Sequence, residues 1–238
     1  MVVINPTYES LREWIETIPD RFAQEGKVIY DARNQIRLIT APDGTELCVK
    51  RFHTPHGFNR WIYTHLREPK AERAYRNALR LTEQGIGTPE PIACLMDIRH
   101  GLLYESYLIT RSSRLTRNFY EFRHHPLAGH EGIVRSFAQW TAAMHEKGIL
   151  HKDYSPGNIL FDIQPDGSVA FEIVDINRMR FDHAVGMRCA CRNFCRLWGK
   201  EDFFLLLAQE YAHARGWDEQ RCIRFTLRYW RHFWRFRT

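Results

Sequence analysis

The residues with the clearest chemical potential lie between positions 144 and 160, where a predicted helix gives way to a predicted strand. His151, Asp153 and Asn158 occur here, the asparagine five residues after the aspartate. A carboxylate at the tip of a tight loop can accept a proton from an attacking hydroxyl. An amide oxygen that returns beside it across a Pro-Gly turn is a hard ligand of the kind that Mg²⁺ prefers. The stretch therefore predicts a loop that combines a general base with a metal ligand.

This spacing resembles the catalytic loop of the protein-kinase-like phosphotransferases, H-x-D-x-x-x-x-N. The resemblance implies that Asp153 is the base and that Asn158 is a metal ligand, while His151 braces the loop by hydrogen bonding. Asp175 directly follows an apolar predicted strand, which is where such proteins place a second metal ligand in their DFG motif. Asn177 replaces the glycine of that motif, and asparagine is the next most tolerant residue of positive φ.

A lysine and a glutamate upstream complete the order of parts that this resemblance requires. Lys50 ends the apolar strand Leu47-Cys48-Val49-Lys50, which resembles the V-A-I-K motif. The next predicted helix carries Glu72. The resemblance implies that Lys50 binds the phosphates of a nucleotide and that Glu72 orients Lys50.

The loop that covers the phosphates departs from the pattern of these enzymes. No G-x-G-x-x-G occurs among the 14 glycines, and the equivalent segment is 30–34, between two predicted strands. Arg33, or backbone N–H groups of that segment, would have to take over the role of the glycines. No Walker A sequence occurs either, so the sequence does not support a P-loop nucleoside triphosphatase.

Four strings narrow the resemblance: AERAYRNALRL, GIGTPEPIA, LHKDYSPGNILFD and VDINRMRF. Together they are similar to the lipopolysaccharide kinase (Kdo/WaaP) family, over residues 25–235. Membership implies ATP- and Mg²⁺-dependent transfer of the γ-phosphoryl group to a sugar hydroxyl of the lipopolysaccharide core, on Kdo or heptose. The implied partners are ATP and this core or another sugar acceptor.

Two alternatives remain open at this stage. Ser155 stands where protein kinases usually carry a lysine. No A-P-E sequence and no long activation segment follow Asp175. Both observations favour a saccharide or another small molecule over a protein as the acceptor. A kinase of a different acceptor is the first alternative. A pseudokinase that serves as a binding module is the second, supported by the missing glycine-rich loop and opposed by the intact Lys, Asp, Asn and Asp set.

The composition excludes several classes of protein. With 44% apolar and 26% charged residues in 238, the chain is neither disordered, nor collagenous, nor a disulfide-stapled miniprotein. Its longest strongly apolar run, 203–208, falls far short of the roughly 20 residues that cross a bilayer. We see no signal peptide and expect a cytoplasmic protein with reduced cysteines. Cys189, Cys191 and Cys195 lack the paired C-x2-C spacing of zinc sites, which favours plain thiols.

The net charge of +6 arises from the C-terminal segment 221–238, which has six arginines and no acid. Five of them recur every three or four residues and so share one helical stripe: Arg221, Arg224, Arg228, Arg231 and Arg235. We favour a helix whose apolar face packs on the rest of the C-terminal part. The alternative is contact with an anionic membrane, on the cytoplasmic face of the inner membrane. A basic tail on a neutral body does not indicate a nucleic-acid binder.

The pattern of elements predicts an α+β, two-lobed, protein-kinase-like fold. An N-terminal lobe, 1–112, is expected to hold one helix over 8–24, an antiparallel sheet and a helix over 68–84, and to bind the nucleotide. A C-terminal lobe, 113–238, is expected to be rich in helices and to carry the catalytic and metal-binding loops.

Overall fold

The computed structural model describes residues 1–53, 68–123 and 125–235. The chain forms two compact units, Met1–Arg114 and Leu115–Thr238. The division falls two residues after the boundary predicted from the sequence.

A six-stranded antiparallel sheet is the framework of the first unit, in the order β1-β5-β6-β4-β3-β2. Its strands are β1 (Val2–Ile4), β2 (Lys27–Asp31), β3 (Gln35–Thr40), β4 (Glu46–Phe52), β5 (Pro91–Arg99) and β6 (Leu102–Arg111). The turn between β3 and β4 is closed by Asp43, whose Oδ1 accepts from the backbone N–H of Thr45 at 2.9 Å, and by Gly44 at a φ of 84°. The resulting register places Lys50 between Ile36 and Leu108 on the neighbouring strands.

The prediction of one continuous N-terminal helix over 8–24 is wrong. The chain forms a 3-10 helix (Pro6–Leu11), then α1 (Arg12–Glu16) and α2 (Ile18–Arg21). Pro19 explains the break before α2, because it has no N–H to donate to a carbonyl oxygen of the preceding turn. The apolar residues that the spacing singles out are nevertheless buried against one face of the sheet. From the helical segment these are Leu11, Ile15, Ile18 and Phe22, and from the sheet Leu47, Val49, Tyr107 and Ile109.

The other face of the sheet is covered by α3 (Lys70–Glu83), which packs on β5 and β6. Its buried side is lined by small residues and a few large ones: Ala71, Ala74, Tyr75, Ala78 and Leu81. The helix ends in a Schellman motif, in which Ile86 N–H donates to Leu81 O at 2.9 Å and Gly85 takes a φ of 68°. This end is the one that the glycine in the sequence predicts.

The second unit holds four α-helices among its described residues: α4 (Glu131–Glu146), α5 (Met187–Asn193), α6 (Glu201–Ala214) and α7 (Glu219–Trp234). A three-stranded sheet, in the order β10-β9-β7, joins β7 (Arg117–Asn118), β9 (Ile159–Ile163) and β10 (Val169–Ile173). A two-stranded pair joins β8 (Leu150–His151) to β11 (Met179–Arg180). The core beneath them is aromatic, with Phe119 and Phe137 in contact at 4.2 Å between ring centroids.

Helix α7 packs on the second unit through its apolar face, as the sequence favours. Cys222 and Thr226 are buried, and the Trp230 ring stacks on Phe204 at 4.8 Å. The five arginines of its stripe are all exposed. Residues 236–238, the end of the predicted basic segment, lie outside the described residues. No helix in the part of the chain that the structure describes is long and apolar enough to cross a bilayer.

The clustered cysteines are free thiols on α5 and on the turn after it. The Sγ atom of Cys191 lies 3.6 Å from that of Cys222 on α7, so both thiols fill the interface between these helices.

Candidate active site

Two backbone hydrogen bonds hold the loop at 152–158 against the segment that follows β10. Lys152 N–H donates to Arg178 O at 2.8 Å, and Val174 N–H donates to Asn158 O at 3.0 Å. The pairing of β8 with β11 places His151 opposite Met179. The two loops that the sequence singles out are therefore neighbours in space.

His151 braces this arrangement, which confirms the structural role predicted for it. The ring is fully buried. Its Nδ1 accepts from the backbone N–H of Asp153, and its Nε2 lies 3.1 Å from the carbonyl oxygen of Val174. Because Nδ1 accepts, Nε2 carries the proton and donates. Burial lowers the pKa of His151, so the imidazole is neutral at pH 7. Its two hydrogen bonds hold the two loops together.

Asn158 folds back beside Asp153. Its Nδ2 donates to the carbonyl oxygen of Asp153 at 2.9 Å, and Ser155 N–H donates to the same oxygen at 2.9 Å. The amide nitrogen of Asn158 is thereby occupied by the loop itself, which fixes the orientation of the side chain. The carboxylate of Asp153 is 29% exposed, so a hydroxyl from solvent can reach it.

Asp175 takes a left-handed conformation, with φ 55° and ψ 43°. The expectation that Asn177 would occupy the position of positive φ is wrong, because Asn177 lies inside a 3-10 turn (Ile176–Arg178). It instead donates from Nδ2 to Asp175 Oδ1 at 3.0 Å. A left-handed non-glycine residue costs about 1–2 kcal/mol, and such residues concentrate at functional sites.

The donor groups of Asn158 and Asp175 fit a hard divalent cation. The backbone hydrogen bond between Val174 and Asn158 places Asp175, the residue after Val174, in the loop next to Asn158. Oxygen donors of this kind, supplemented by phosphate oxygens and water, suit Mg²⁺ rather than a metal that prefers sulfur or imidazole. The described residues contain no cluster of three His, Cys, Asp or Glu side chains that would form a separate metal centre.

The structure adds two residues that sequence reasoning missed. Nη1 of Arg196 forms an ion pair with Oδ1 of Asp153. Asn193 donates from Nδ2 to the backbone oxygen of His151 at 2.9 Å. Both lie about 40 residues beyond the loop, at the end of α5 and in the turn after it. No local spacing in the sequence connects them to it.

In the first unit, Lys50 and Glu72 face the same side of the sheet. Lys50 is half-buried, with its Nζ 5.2 Å from the centre of the Phe52 ring. Leu108 pairs with Lys50 on one side and with Cys94 on the other. Burial, together with the smaller effect of the nearby Glu72 charge, raises the pKa of the Cys94 thiol to about 12. Glu72 therefore lies near Cys94, on the face of the sheet that also carries Lys50.

Arg33 has different surroundings. It is exposed in the turn between β2 and β3 and borders a cavity of about 190 Å³. Gln35, Arg51 and Glu105 line this cavity, and Nη2 of Arg51 donates to Gln35 Oε1 at 2.9 Å. Since neighbouring strand residues point to opposite faces, Arg51 lies on the face opposite Lys50.

Comparison with solved structures defines the fold first. A structure of WaaP in complex with acyl carrier protein matches with a TM-score of 0.64 at 17% identity, covering 98% of this chain and 99% of that chain. A Rio2 kinase–ADP/Mg²⁺–phosphoaspartate complex from Chaetomium thermophilum matches with a TM-score of 0.49 at 15% identity, covering 97% of this chain and 78% of that chain. The first of these confirms the predicted α+β, protein-kinase-like fold.

The family follows from the sequence itself. A sequence model of the lipopolysaccharide kinase (Kdo/WaaP) family matches residues 44–229. The match covers most of the chain, which belongs to this family. It is a phosphotransferase with an alcohol group as acceptor, a kinase that acts on the lipopolysaccharide core. No curated protein sequence matches this chain.

Proposed function

We propose that the chain transfers the γ-phosphoryl group of ATP to a hydroxyl of a Kdo or heptose sugar in the lipopolysaccharide core, with Asp153 as the general base. One observation carries the proposal: the loop with Asp153 and Asn158 and the loop with Asp175 are tied together by the hydrogen bond from Val174 to Asn158. A base and two oxygen ligands in one place are what phosphoryl transfer requires.

The reaction requires little covalent chemistry from the protein itself. The acceptor oxygen forms a bond to the γ-phosphorus, the bond from that phosphorus to the β,γ-bridging oxygen breaks, and ADP leaves. The proton of the hydroxyl passes to the carboxylate of Asp153. Asn158 and Asp175 would hold Mg²⁺, which neutralises charge on the triphosphate when it is bound. Most of the acceleration then comes from positioning and electrostatics.

The first unit contributes nucleotide binding in this proposal. Lys50 binds the phosphates of ATP, and Glu72 orients Lys50. Arg33 lies in the turn between β2 and β3 that takes the place of a glycine-rich loop, and we keep it as a candidate contact of the phosphates. Backbone N–H groups of the 30–34 segment remain as the substitute for a glycine-rich loop.

The acceptor lies on a lipid, so we also propose that α7 rests on an anionic membrane surface. Ile223 and Leu227 line a shallow groove of about 470 Å³ beside the arginines. Among the described residues, Arg231 pairs with Glu201 at 2.6 Å, whereas Arg224 and Arg228 have no acidic partner. We therefore propose that the enzyme works at the cytoplasmic face of the inner membrane.

The experiment is an acceptor screen with γ-labelled ATP and Mg²⁺. Core oligosaccharides that end in Kdo and in heptose are offered separately, with a protein and a small aminoglycoside as the other acceptors. Transfer to one of the two core sugars is the expected result. Label on the protein or the aminoglycoside alone would favour a kinase of another acceptor. No label on any acceptor, together with no thermal shift by Mg·ATP, would favour a binding module.

A further inference from the structure

The catalytic loop offers little positive charge to stabilise a phosphoryl group during its transfer. The transferred group carries negative charge on its oxygens as the old bond breaks and the new one forms, and enzymes meet it with fixed cations. Between Asp153 and Asn158 the sequence is Tyr-Ser-Pro-Gly, without a basic residue. Lys152 is exposed, and the loop uses its backbone N–H on Arg178.

Arg196 supplies a cation at that place from another part of the chain. Its guanidinium pairs with the Asp153 carboxylate, the group that we propose takes the proton of the acceptor. The attacking oxygen must lie within hydrogen-bond reach of the same carboxylate. A guanidinium that touches this carboxylate therefore stands next to the reacting oxygen and phosphorus.

The backbone around Arg196 is firmly held. It ends a 3-10 turn (Phe194–Arg196) in which Phe194 is fully buried and makes an edge contact with Tyr211 at 5.1 Å. Asn193, directly before the turn, is hydrogen-bonded to the backbone of His151. The turn and the catalytic loop are thereby fixed to each other, and only the side chain of Arg196 needs to move.

The ion pair is too exposed to serve stability. The Arg196 and Asp153 side chains are 42% and 29% exposed, and pairs of this kind contribute about 0–1 kcal/mol. Exchanging the carboxylate for another anion therefore costs little. A phosphoryl group offers two or three acceptor oxygens and more negative charge, and it matches the forked geometry of arginine.

We propose that Arg196 binds the transferred phosphoryl group in the transition state, moving from Asp153 to the phosphoryl oxygens when the acceptor hydroxyl takes its place on the carboxylate. The inference rests on the proposed function and adds a catalytic residue to it. The Phe233 ring, 6.0 Å from the Arg196 guanidinium carbon, lies close enough to guide the side chain.

The test compares Arg196→Met with Arg192→Met, a matched control that removes an exposed arginine from α5. Two quantities are measured: the rate of transfer at saturating ATP, and the affinity for ADP with aluminium fluoride and Mg²⁺ relative to ADP and Mg²⁺ alone. We expect Arg196→Met to lower the rate about 10²–10³-fold. It should also lose the tighter binding of the aluminium fluoride complex while binding ADP normally. The control should keep both.

A wild-type rate in Arg196→Met would overturn the inference. A reduced rate with the tight binding of the fluoride complex preserved would also overturn it, because Arg196 would then act only by holding Asp153. Arg196→Gln, which also removes the charge, decides the question by the same measurements if the methionine variant does not fold. Failure of the proposed function itself shows differently, as full transfer activity in Asp153→Asn.

Discussion

The backbone N–H of Val174 donates to the carbonyl oxygen of Asn158 at 3.0 Å, and this bond joins the two loops that carry the candidate metal ligands. The neutral ring of His151 adds a second tie through Val174 O. Residue 174 therefore holds its neighbour Asp175 in register with Asn158, although 17 residues separate the two ligands along the chain.

Removing one of the two candidate metal ligands should change how the transfer rate depends on the Mg²⁺ concentration. Asp175→Asn is expected to lower the transfer rate at least about 100-fold and to raise the Mg²⁺ concentration for half-maximal rate, since a neutral amide binds a hard dication less well than a carboxylate. The measurement is a Mg²⁺ titration of the rate. Asp166→Asn, at the exposed tip of the β9–β10 hairpin, is the control and should behave as wild type. An unchanged Mg²⁺ dependence in Asp175→Asn would rule out this ligand.

The glycine before the catalytic loop should not tolerate a side chain. Gly148 has a φ of 72°, and a Cβ there would lie 3.1 Å from the backbone nitrogen of His183. We expect Gly148→Ala to lower the free energy of unfolding by at least about 1–2 kcal/mol. Gly132→Ala is the matched control, because Gly132 lies in α4 with open space around its Cβ position. Urea denaturation should show the control unchanged or about 0.5 kcal/mol more stable. Equal stabilities of the two variants would contradict the prediction.

The buried histidines should make the fold sensitive to acid. Burial lowers the pKa of His145 to about 3, with Arg215 contributing, and burial also lowers the pKa of His151. Below pH 6.5 the unfolded chain binds protons that the folded chain does not, so stability is present above that pH and is lost as the pH falls. Each histidine removes up to about 1.4 kcal/mol of unfolding free energy per pH unit.

Unfolding free energies measured from pH 7 to pH 5 test this. His145→Gln should show a shallower slope than wild type, because one of the two buried histidines with a lowered pKa is gone. His183→Gln changes an exposed histidine and should keep the wild-type slope. A wild-type slope in His145→Gln would show that this histidine does not carry the effect.

The outward stripe of α7 should bind anionic lipid. Replacing Arg224, Arg228 and Arg235 by glutamine removes three charges at about 1 kcal/mol each, so binding to phosphatidylglycerol-containing vesicles should weaken by about 100-fold or more. Flotation at low and high salt measures it, and wild-type binding should fall as salt rises.

The control for α7 replaces three exposed arginines of the first unit, Arg12, Arg76 and Arg99, and so changes the net charge equally. Equal loss of binding in both triple variants would mean that net charge, rather than this helix, attracts the lipid.

Much of the fold and part of the site follow from local sequence. The bounds of β3 and β4 agree with the alternation of apolar residues and the Pro42-Asp43-Gly44 turn, and the ends of α3 and α4 agree with Gly85 and Gly148. These features depend on residues close together in the chain. Turn and cap chemistry therefore predicts them.

The errors and omissions arise where distant parts of the chain meet or where one residue interrupts a pattern. The pairing of Asp153 with Arg196 spans 43 residues and leaves no local signal. Pro19 breaks a helix whose apolar spacing continues through it, so periodicity alone overestimates its length. The left-handed backbone at Asp175 is set by its contacts with Asn177 and the loop, and residue preference alone would assign it to asparagine.

The most direct test of the account is the rate of phosphoryl transfer by Asp153→Asn, measured in a single turnover with γ-labelled ATP and the core sugar that the acceptor screen identifies. The account predicts a loss of about 10²–10⁴-fold, because the amide cannot accept the proton of the hydroxyl. Nucleotide affinity and the unfolding transition should stay close to wild type. Transfer at the wild-type rate in a folded Asp153→Asn would contradict the account.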